Sequence, residues 1–379
     1  MKLAFVSTMD GVRWGGSEEL WSQTAIRLHQ AGHEIMASVA WWPDFSPKVT
    51  ALMQCGIKLF VQPPPHHAWP IRVWQKFTRR LGVNSSKFEW LRLQKPDLVV
   101  ISQGGIADGV ECMNFCATVG LPYVAIVQCN MEGWYPNDEK CVAMAKAYLA
   151  AKKIFCVSQH NLKLLEYQLG EKLPQASVVW NPYNVVSTPP PAWPSVDGIW
   201  KLACVARLEP AAKGQDLLFQ VLAQKHWQEL PIEINLYGSG PCARNLQKLA
   251  GSLQLSNVHF RGHVADVNEI WKENHLLVLP SRFEGLPLAL VEAMWCARPA
   301  LVTDIGGNAE MCVDGETGFV APAPAFGLLA QTLTQAWQRR DDWQAMGKTA
   351  RARAERLVPV DPIGVFCKQL MELVPPNHA

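Results

Sequence analysis

Two glutamates, Glu284 and Glu292, stand with seven residues between them in LPSRFEGLPLALVEAM. Two cations, Arg207 and Lys213, stand in VARLEPAAKGQDLL. Each pair follows an apolar run of strand length. A carboxylate can accept hydrogen bonds from sugar or ribose hydroxyls. Arg as a planar fork and Lys as a point charge suit a diphosphate. Solvated surface charges are the ordinary fate of such residues, and a position directly after a buried strand favours function instead. Pro287 suits the first position of a helix. That puts Glu284 just before the helix and Glu292 about one and a half turns into it. The N–H groups of Leu286 and Leu288 are then free donors at a helix start, while Pro287 has none to offer. With the helix dipole they suit an anion or a polar sugar.

Glycines mark the other loops. Gly11, Gly15 and Gly16 follow the first apolar run in TMDGVRWGGSEELW, with Ser17 placed to cap a helix. Glycine lets a backbone approach a ligand, and a helix N-terminus favours an anion. The spacing is not G-x-G-x-x-G, so it does not specify a dinucleotide. Gly238 and Gly240 in YGSGP fit a tight turn or a close approach to a ligand equally well. Gly306 and Gly307 in TDIGGNAEMCVDGETGFV open a short helix, and DGETG is a turn signal.

The elements that must position these loops alternate. Leu3–Ser7, Glu34–Ala40, Ile57–Val61, Leu98–Ser102, Tyr123–Val127 and Ile154–Ser158 read as buried strands, separated by helix-length amphipathic segments that end in glycine. A proline-rich stretch, 186–199, interrupts the pattern as a linker. Alternation resumes with Lys201–Ala206, Ile232–Tyr237, Val258–Arg261, Leu276–Leu279 and Ala300–Val302. Strand–helix alternation predicts parallel, doubly wound sheets. The fold class is α/β. Residues 1–185 form one Rossmann-like domain, 200–358 a second, and 359–379 a C-terminal helix returning to the first. Ligands in such sheets bind beyond the carboxyl ends of the strands.

Composition narrows the classes. The chain has 379 residues, 49% of them hydrophobic and 18% charged, which is globular. Its net charge is +2, against the strong basic excess of a general nucleic-acid binder. The first 190 residues carry 18 basic and 14 acidic groups and so hold the excess. Eleven scattered cysteines predict reduced thiols and supply no zinc cluster. The N-terminus lacks the apolar core of a signal peptide and reads as a first strand. The longest apolar stretch, Leu286 to Val302, contains Glu292 and Arg298 and cannot span a bilayer.

GGSE at 15–18, the Arg207/Lys213 pair, FEGLPLALVEAM at 283–294 and GGNAEMCVDGETGFV at 306–320 resemble the family 4 retaining glycosyltransferases. The resemblance covers nearly the whole chain. It implies the GT-B fold: two facing Rossmann-like domains with a cleft between them, the first for the acceptor and the second for a nucleotide sugar. By resemblance, Arg207 and Lys213 neutralise the diphosphate, and Glu284 sits against the donor sugar. Phe283, Gly285, Leu286, Pro287 and Leu288 lie around that sugar, and Glu292 holds the ribose. Gly238 lies at the ligand, and Gly262, His263 and Val264 touch the base. Gly15 and Gly16 approach the diphosphate from the first domain. The family needs no metal and no other cofactor. One departure is plain: where many relatives carry a His after the fifth strand, this chain has Gln128, Cys129 and Asn130.

The function expected is transfer of a hexose-type sugar from a nucleoside-diphosphate sugar to a hydroxyl of a sugar, lipid-linked or small-molecule acceptor. It would serve polysaccharide, glycolipid or glycoside synthesis. Two alternatives compete. A nucleotide-sugar epimerase would not need both the Arg/Lys pair and Glu-x7-Glu. A non-catalytic nucleotide-sugar binder would be expected to lose Glu284 or Lys213. The expected location is the cytoplasm. Residues 71–95, with seven basic groups and one acid, are a candidate peripheral membrane contact. Packing of that segment's apolar face on the first sheet is the competing reading.

Overall fold

Short runs of buried β-branched and apolar residues become strands because both of their faces are covered by helices. The computed structural model describes residues 1–9, 11, 13–62, 87–185 and 189–374. Thirteen strands fall into two parallel sheets among these residues. The first holds β1 (Lys2–Ser7), β2 (Glu34–Ala40), β3 (Lys58–Gln62), β4 (Leu98–Gln103), β5 (Tyr123–Val127), β6 (Lys153–Cys156) and β7 (Ala176–Val178). Its order is β3-β2-β1-β4-β5-β6-β7. The second holds β8 (Trp200–Val205), β9 (Ile232–Tyr237), β10 (Val258–Gly262), β11 (Leu276–Leu279), β12 (Ala300–Thr303) and β13 (Gly318–Ala321). Its order is β10-β9-β8-β11-β12-β13.

Both sheets therefore wind outward from their first strand and reverse direction beside it. The reversal lies between β1 and β4 in one and between β8 and β11 in the other. At such a switch point the loops leave in opposite directions and open a crevice.

The chain divides into two units, Met1–Pro182 with Asp361–Ala379, and Tyr183–Val360. In the first, Phe5, Val100, Ile126 and Phe155 are fully buried strand residues. The last helix, Pro362–Leu373, belongs to this unit. Phe366 meets Phe155 edge to face at 5.0 Å. Asp361 caps the helix by accepting from the Gly364 N–H at 2.9 Å, and both of its oxygens also accept from Arg27 Nη1, at 2.8 and 2.6 Å. The Gly364 N–H first, and Arg27 after it, hold the Asp361 carboxyl below its usual range.

In the second unit, Leu202, Ile234, Val278, Leu301 and Phe319 build the core with Trp227 and Trp343. Ala192 and Trp193 of the proline-rich stretch pack within this unit. Arg298, 1% exposed, donates to the carbonyls of Ala192, Asn274, Cys296 and Trp271, and its guanidinium lies over Trp193. Burial lowers its pKa to about 10, and the ring of carbonyls satisfies its donors without a counter-ion.

Two strands escaped the sequence reading. β7 is only three residues long and partly exposed, and β13 begins inside the stretch taken as a turn. All eleven cysteines are free thiols, seven of them buried.

Candidate active site

The loop after β8 carries both cations. Its Arg207 forms an ion pair with Glu209. The Arg207 carbonyl accepts from the amide of the fully buried Gln215 at 2.8 Å, which fixes the loop to the helix that follows it. The sequence places Lys213 six residues after Arg207, at a helix start. It instead ends a short helix, Pro210–Lys213, and Gly214 turns the chain into the next one, Gln215–Leu222. Gly214 has φ +66°, and a Cβ there would lie 1.9 Å from the Pro280 carbonyl oxygen. Only glycine allows this loop to press on the loop after β11.

Across that contact the two loops exchange charge. The Lys213 ammonium lies 2.6 Å from Glu284 Oε1, and Ser281 donates to the same oxygen at 2.8 Å. Glu284 is 6% exposed. Arg282 binds Asp216 with both arms, at 2.6 and 2.9 Å, and donates to the Pro210 carbonyl at 2.6 Å. The Arg282 N–H donates to Ala212. A bidentate fork fixes both distance and plane, so Arg282 braces the turn that carries Lys213 against the turn that carries Glu284. Nothing in the spacing of Arg282 and Asp216 announced this pair.

The neighbouring loops close around the same edge. The Gly238 N–H donates to the Gly262 carbonyl at 2.7 Å, so these two residues meet, with His263 and Val264 following directly. Leu208 N–H donates to Ser239, tying the loop after β9 to the loop after β8. The Gly307 N–H donates to Gly285 at 2.7 Å. At Gly306, with φ +57°, a Cβ would lie 2.4 Å from the Glu284 carbonyl oxygen. Phe283, Leu286 and Leu288 are partly exposed along this turn, and Gly285 and Pro287 are buried. Pro287 is the residue before the first helical position, which Leu288 occupies.

Glu292 sits one turn into the helix Leu288–Trp295 and is 4% exposed. Burial raises its carboxyl pKa, and two donors from Asn184 work against that rise. The sequence reading missed Asn184, because its contact spans 108 residues.

Gly15 and Gly16 lie in the other unit, where the loop after β1 meets the helix that follows. Ser17 does not cap the helix there. A short 3-10 turn, Gly16–Glu18, runs directly into the helix Glu19–Gln30, and the Ser17 hydroxyl points to Met9 Sδ. Glu18 is buried and accepts from Trp21 Nε1 at 3.0 Å. Burial raises its pKa to about 7, against the opposing hydrogen bonds of Ser7 and Trp21. A small recess beside it is lined by Ser7, Trp14 and Trp42 among others. Gln128 forms a reciprocal amide pair with Asn181 at 2.7 and 3.2 Å, and Asn130 accepts from the Met131 N–H.

Among the described residues no group of three or more His, Cys, Asp or Glu could hold a metal ion. None of their helices is long and apolar enough to cross a membrane. The basic segment 71–95 lies outside the described residues up to 86. Of its remainder, Lys87 pairs with Glu111, and Arg92 with Glu89.

Known proteins agree with the geometry. Residues 200–339 match the family described as glycosyl transferases group 1. The D-rhamnosyltransferase WbpZ of Pseudomonas aeruginosa is 29% identical over 150 residues, 38% of each chain. The D-inositol 3-phosphate glycosyltransferase of Gordonia bronchialis is 27% identical over 165 residues, 40% of this chain and 36% of that one. These matches span less than half the length of either relative. The structure of HepE from Anabaena in complex with UDP-glucose superposes with a TM-score of 0.73 and 17% identity, covering 98% of this chain and 99% of that one. The fold is that of the GT-B glycosyltransferases, and the match to the group 1 glycosyl transferases lies within its second unit.

Proposed function

We propose that the protein is a family 4 type, retaining glycosyltransferase that moves a hexose-type sugar from a nucleoside-diphosphate sugar to an acceptor hydroxyl. The Lys213–Glu284 pair at the β8/β11 switch point carries this reading. It sets a cation for a diphosphate and a carboxylate for a sugar within one hydrogen bond of each other. The sugar-transferring relatives and the UDP-glucose held by HepE support it.

The step breaks the bond between the anomeric carbon and the diphosphate oxygen. The nucleoside diphosphate leaves with the electron pair. The acceptor oxygen bonds to the same face of the carbon, and its proton passes to the departing diphosphate. Charge grows on the leaving oxygen, and fixed cations there lower the barrier. Arg207 and Lys213 supply that charge, so no metal is needed. Each already has a carboxylate partner, Glu209 and Glu284. The diphosphate therefore joins a balanced site and meets no bare cation. Glu284 faces the donor sugar and Glu292 the ribose, with Gly238, Gly262, His263 and Val264 near the base. The products belong to polysaccharide, glycolipid or glycoside synthesis.

The test is a donor screen. The purified protein is heated with UDP-, GDP-, ADP- and dTDP-sugars in turn, with EDTA present. At least one should raise the melting temperature and release nucleoside diphosphate faster when acceptor is added. A changed sugar with no nucleotide released would instead mark an epimerase. Stabilisation without turnover would mark a binding protein.

A further inference from the structure

Glu292 has one oxygen taken and one open. The backbone N–H and the side-chain amide of Asn184 both donate to Oε1, at 3.0 and 3.1 Å. No donor reaches Oε2 among the described residues. An ionised carboxylate has about four acceptor positions, two on each oxygen. Asn184 fills one pair of them.

The segment that delivers Asn184 is firmly seated. The chain leaves the first unit at Pro182. Tyr183 then stacks on Trp295, on the same helix as Glu292, at 5.3 Å and 17°. Its hydroxyl donates to the Pro359 carbonyl at 3.3 Å. Asn184 thus follows directly on a residue held by both its ring and its hydroxyl.

We propose that Asn184 is the positioning residue of Glu292: it saturates Oε1, fixes the plane of the carboxylate and leaves the two acceptor positions of Oε2 for a vicinal diol. This rests on the ribose reading above. The count fits, since a ribose brings two adjacent hydroxyls to two vacant lone pairs. Asn184 has a second effect in the same direction. Burial favours the neutral acid, whereas its two donors favour the charged form, which is the better acceptor.

Other charges do not take over this task. Cys296, one turn further on, is pushed up to about 12 by burial and stays neutral. The helices packed on this one bring Glu310, Lys348, Arg351, Arg353, Glu355 and Arg356. Arg351 pairs with Glu355 and donates to the Trp295 carbonyl, and Arg353 donates to the carbonyls of Glu310 and Met311.

The experiment uses the full chain labelled with carboxyl-13C glutamate. The Glu292 resonance is the one missing from Glu292→Gln. Its titration midpoint should rise by about one pH unit in Asn184→Ala and further in Asn184→Asp, where a second carboxylate faces Oε1. An unmoved midpoint in both variants overturns the proposal. UDP, GDP and ADP are then titrated calorimetrically across the same pH range. Affinity should climb as Glu292 ionises, and the climb should shift to higher pH in Asn184→Ala. A shift in the resonance alone, with affinities indifferent to Glu292→Gln, overturns the ribose reading while the hold of Asn184 on the carboxylate stands. Binding of none of the three nucleotides sinks the nucleotide reading, and the midpoint still decides the role of Asn184.

Discussion

The two switch points share a strand order and differ in electrostatics. At β8/β11 the loops are joined by ion pairs: Lys213 with Glu284, Arg282 with Asp216, and Arg207 with Glu209 beside them. At β1/β4 the stitching is neutral. Thr8 donates its N–H and hydroxyl to the Ser102 carbonyl, and the Tyr148 hydroxyl donates to Gln103. The acid there, Glu18, takes its hydrogen bonds from Ser7 and Trp21, and the Arg13 that shares its recess is paired with Asp44. One scaffold thus carries two kinds of crevice. Ionic pairs suit a place where an anion must leave. The lesson is that the winding places a crevice, and the residues after the strands decide what it can hold.

The sharpest way to break this contrast is to remove the ammonium. Lys213→Ala should lower turnover a hundredfold or more, about 3 kcal/mol of transition-state stabilisation. The loss should appear in the rate of nucleotide release at saturating donor. Normal turnover would show that the ionic crevice is not where the chemistry occurs.

The β1/β4 crevice has a signature of its own in pH. The Glu18 pKa is raised to about 7 from 4.5. Below 4.5 the acid is protonated whether the chain is folded or not, and its contribution is fully present. Between 4.5 and about 7 only the unfolded chain ionises, so stability falls as pH rises. Glu18→Gln keeps an acceptor for Trp21 and cannot ionise. Its melting temperature should match the parent near pH 4.5 and exceed it above pH 7, with a gain of about 3 kcal/mol. Parallel curves would mean that Glu18 is solvated or paired.

Glu292→Gln should weaken nucleoside-diphosphate affinity about tenfold, or 1.4 kcal/mol, with turnover at saturation less affected. Glu284→Ala should do the reverse. Calorimetry and initial rates on both variants separate the roles, and the opposite ordering would exchange them.

Much of this was legible in the chain and some was not. Arg207, Lys213 and Glu284 could be found because a loop's place after a strand is written locally, in an apolar run followed by a break. The winding was legible for the same reason, since alternation fixes parallel pairing. Pairings across long sequence separations were not. Asn184 looks like one more polar residue before a proline-rich stretch, and only the folded chain brings it to Glu292. Glu18 stands before a helix like any N-terminal acid, and nothing in its local sequence shows that it is buried against Trp21 and Ser7. Lys213 shifted from the start of a helix to its end because the turn at Gly214 divides what reads as one segment.

The smallest effect belongs to the exposed pair Arg27–Asp361, whose side chains are 48% and 56% accessible. Arg27→Ala should cost about 0.5 kcal/mol, the usual worth of a surface ion pair. A loss much larger than that in chemical denaturation would mean that this contact, and not the packing of Phe366 on Phe155, secures the last helix.

That last helix also sets an order of assembly. The second unit is one unbroken stretch, Tyr183–Val360, whereas the first needs Asp361 onward. On a ribosome, which feeds out the chain from its N-terminus, the unit begun first is finished last. Its hydrophobic seat around Phe155 waits uncovered while the whole second unit emerges and folds. Nascent chains halted just before Asp361 should be cut by protease within residues 1–182 and spared within 200–339.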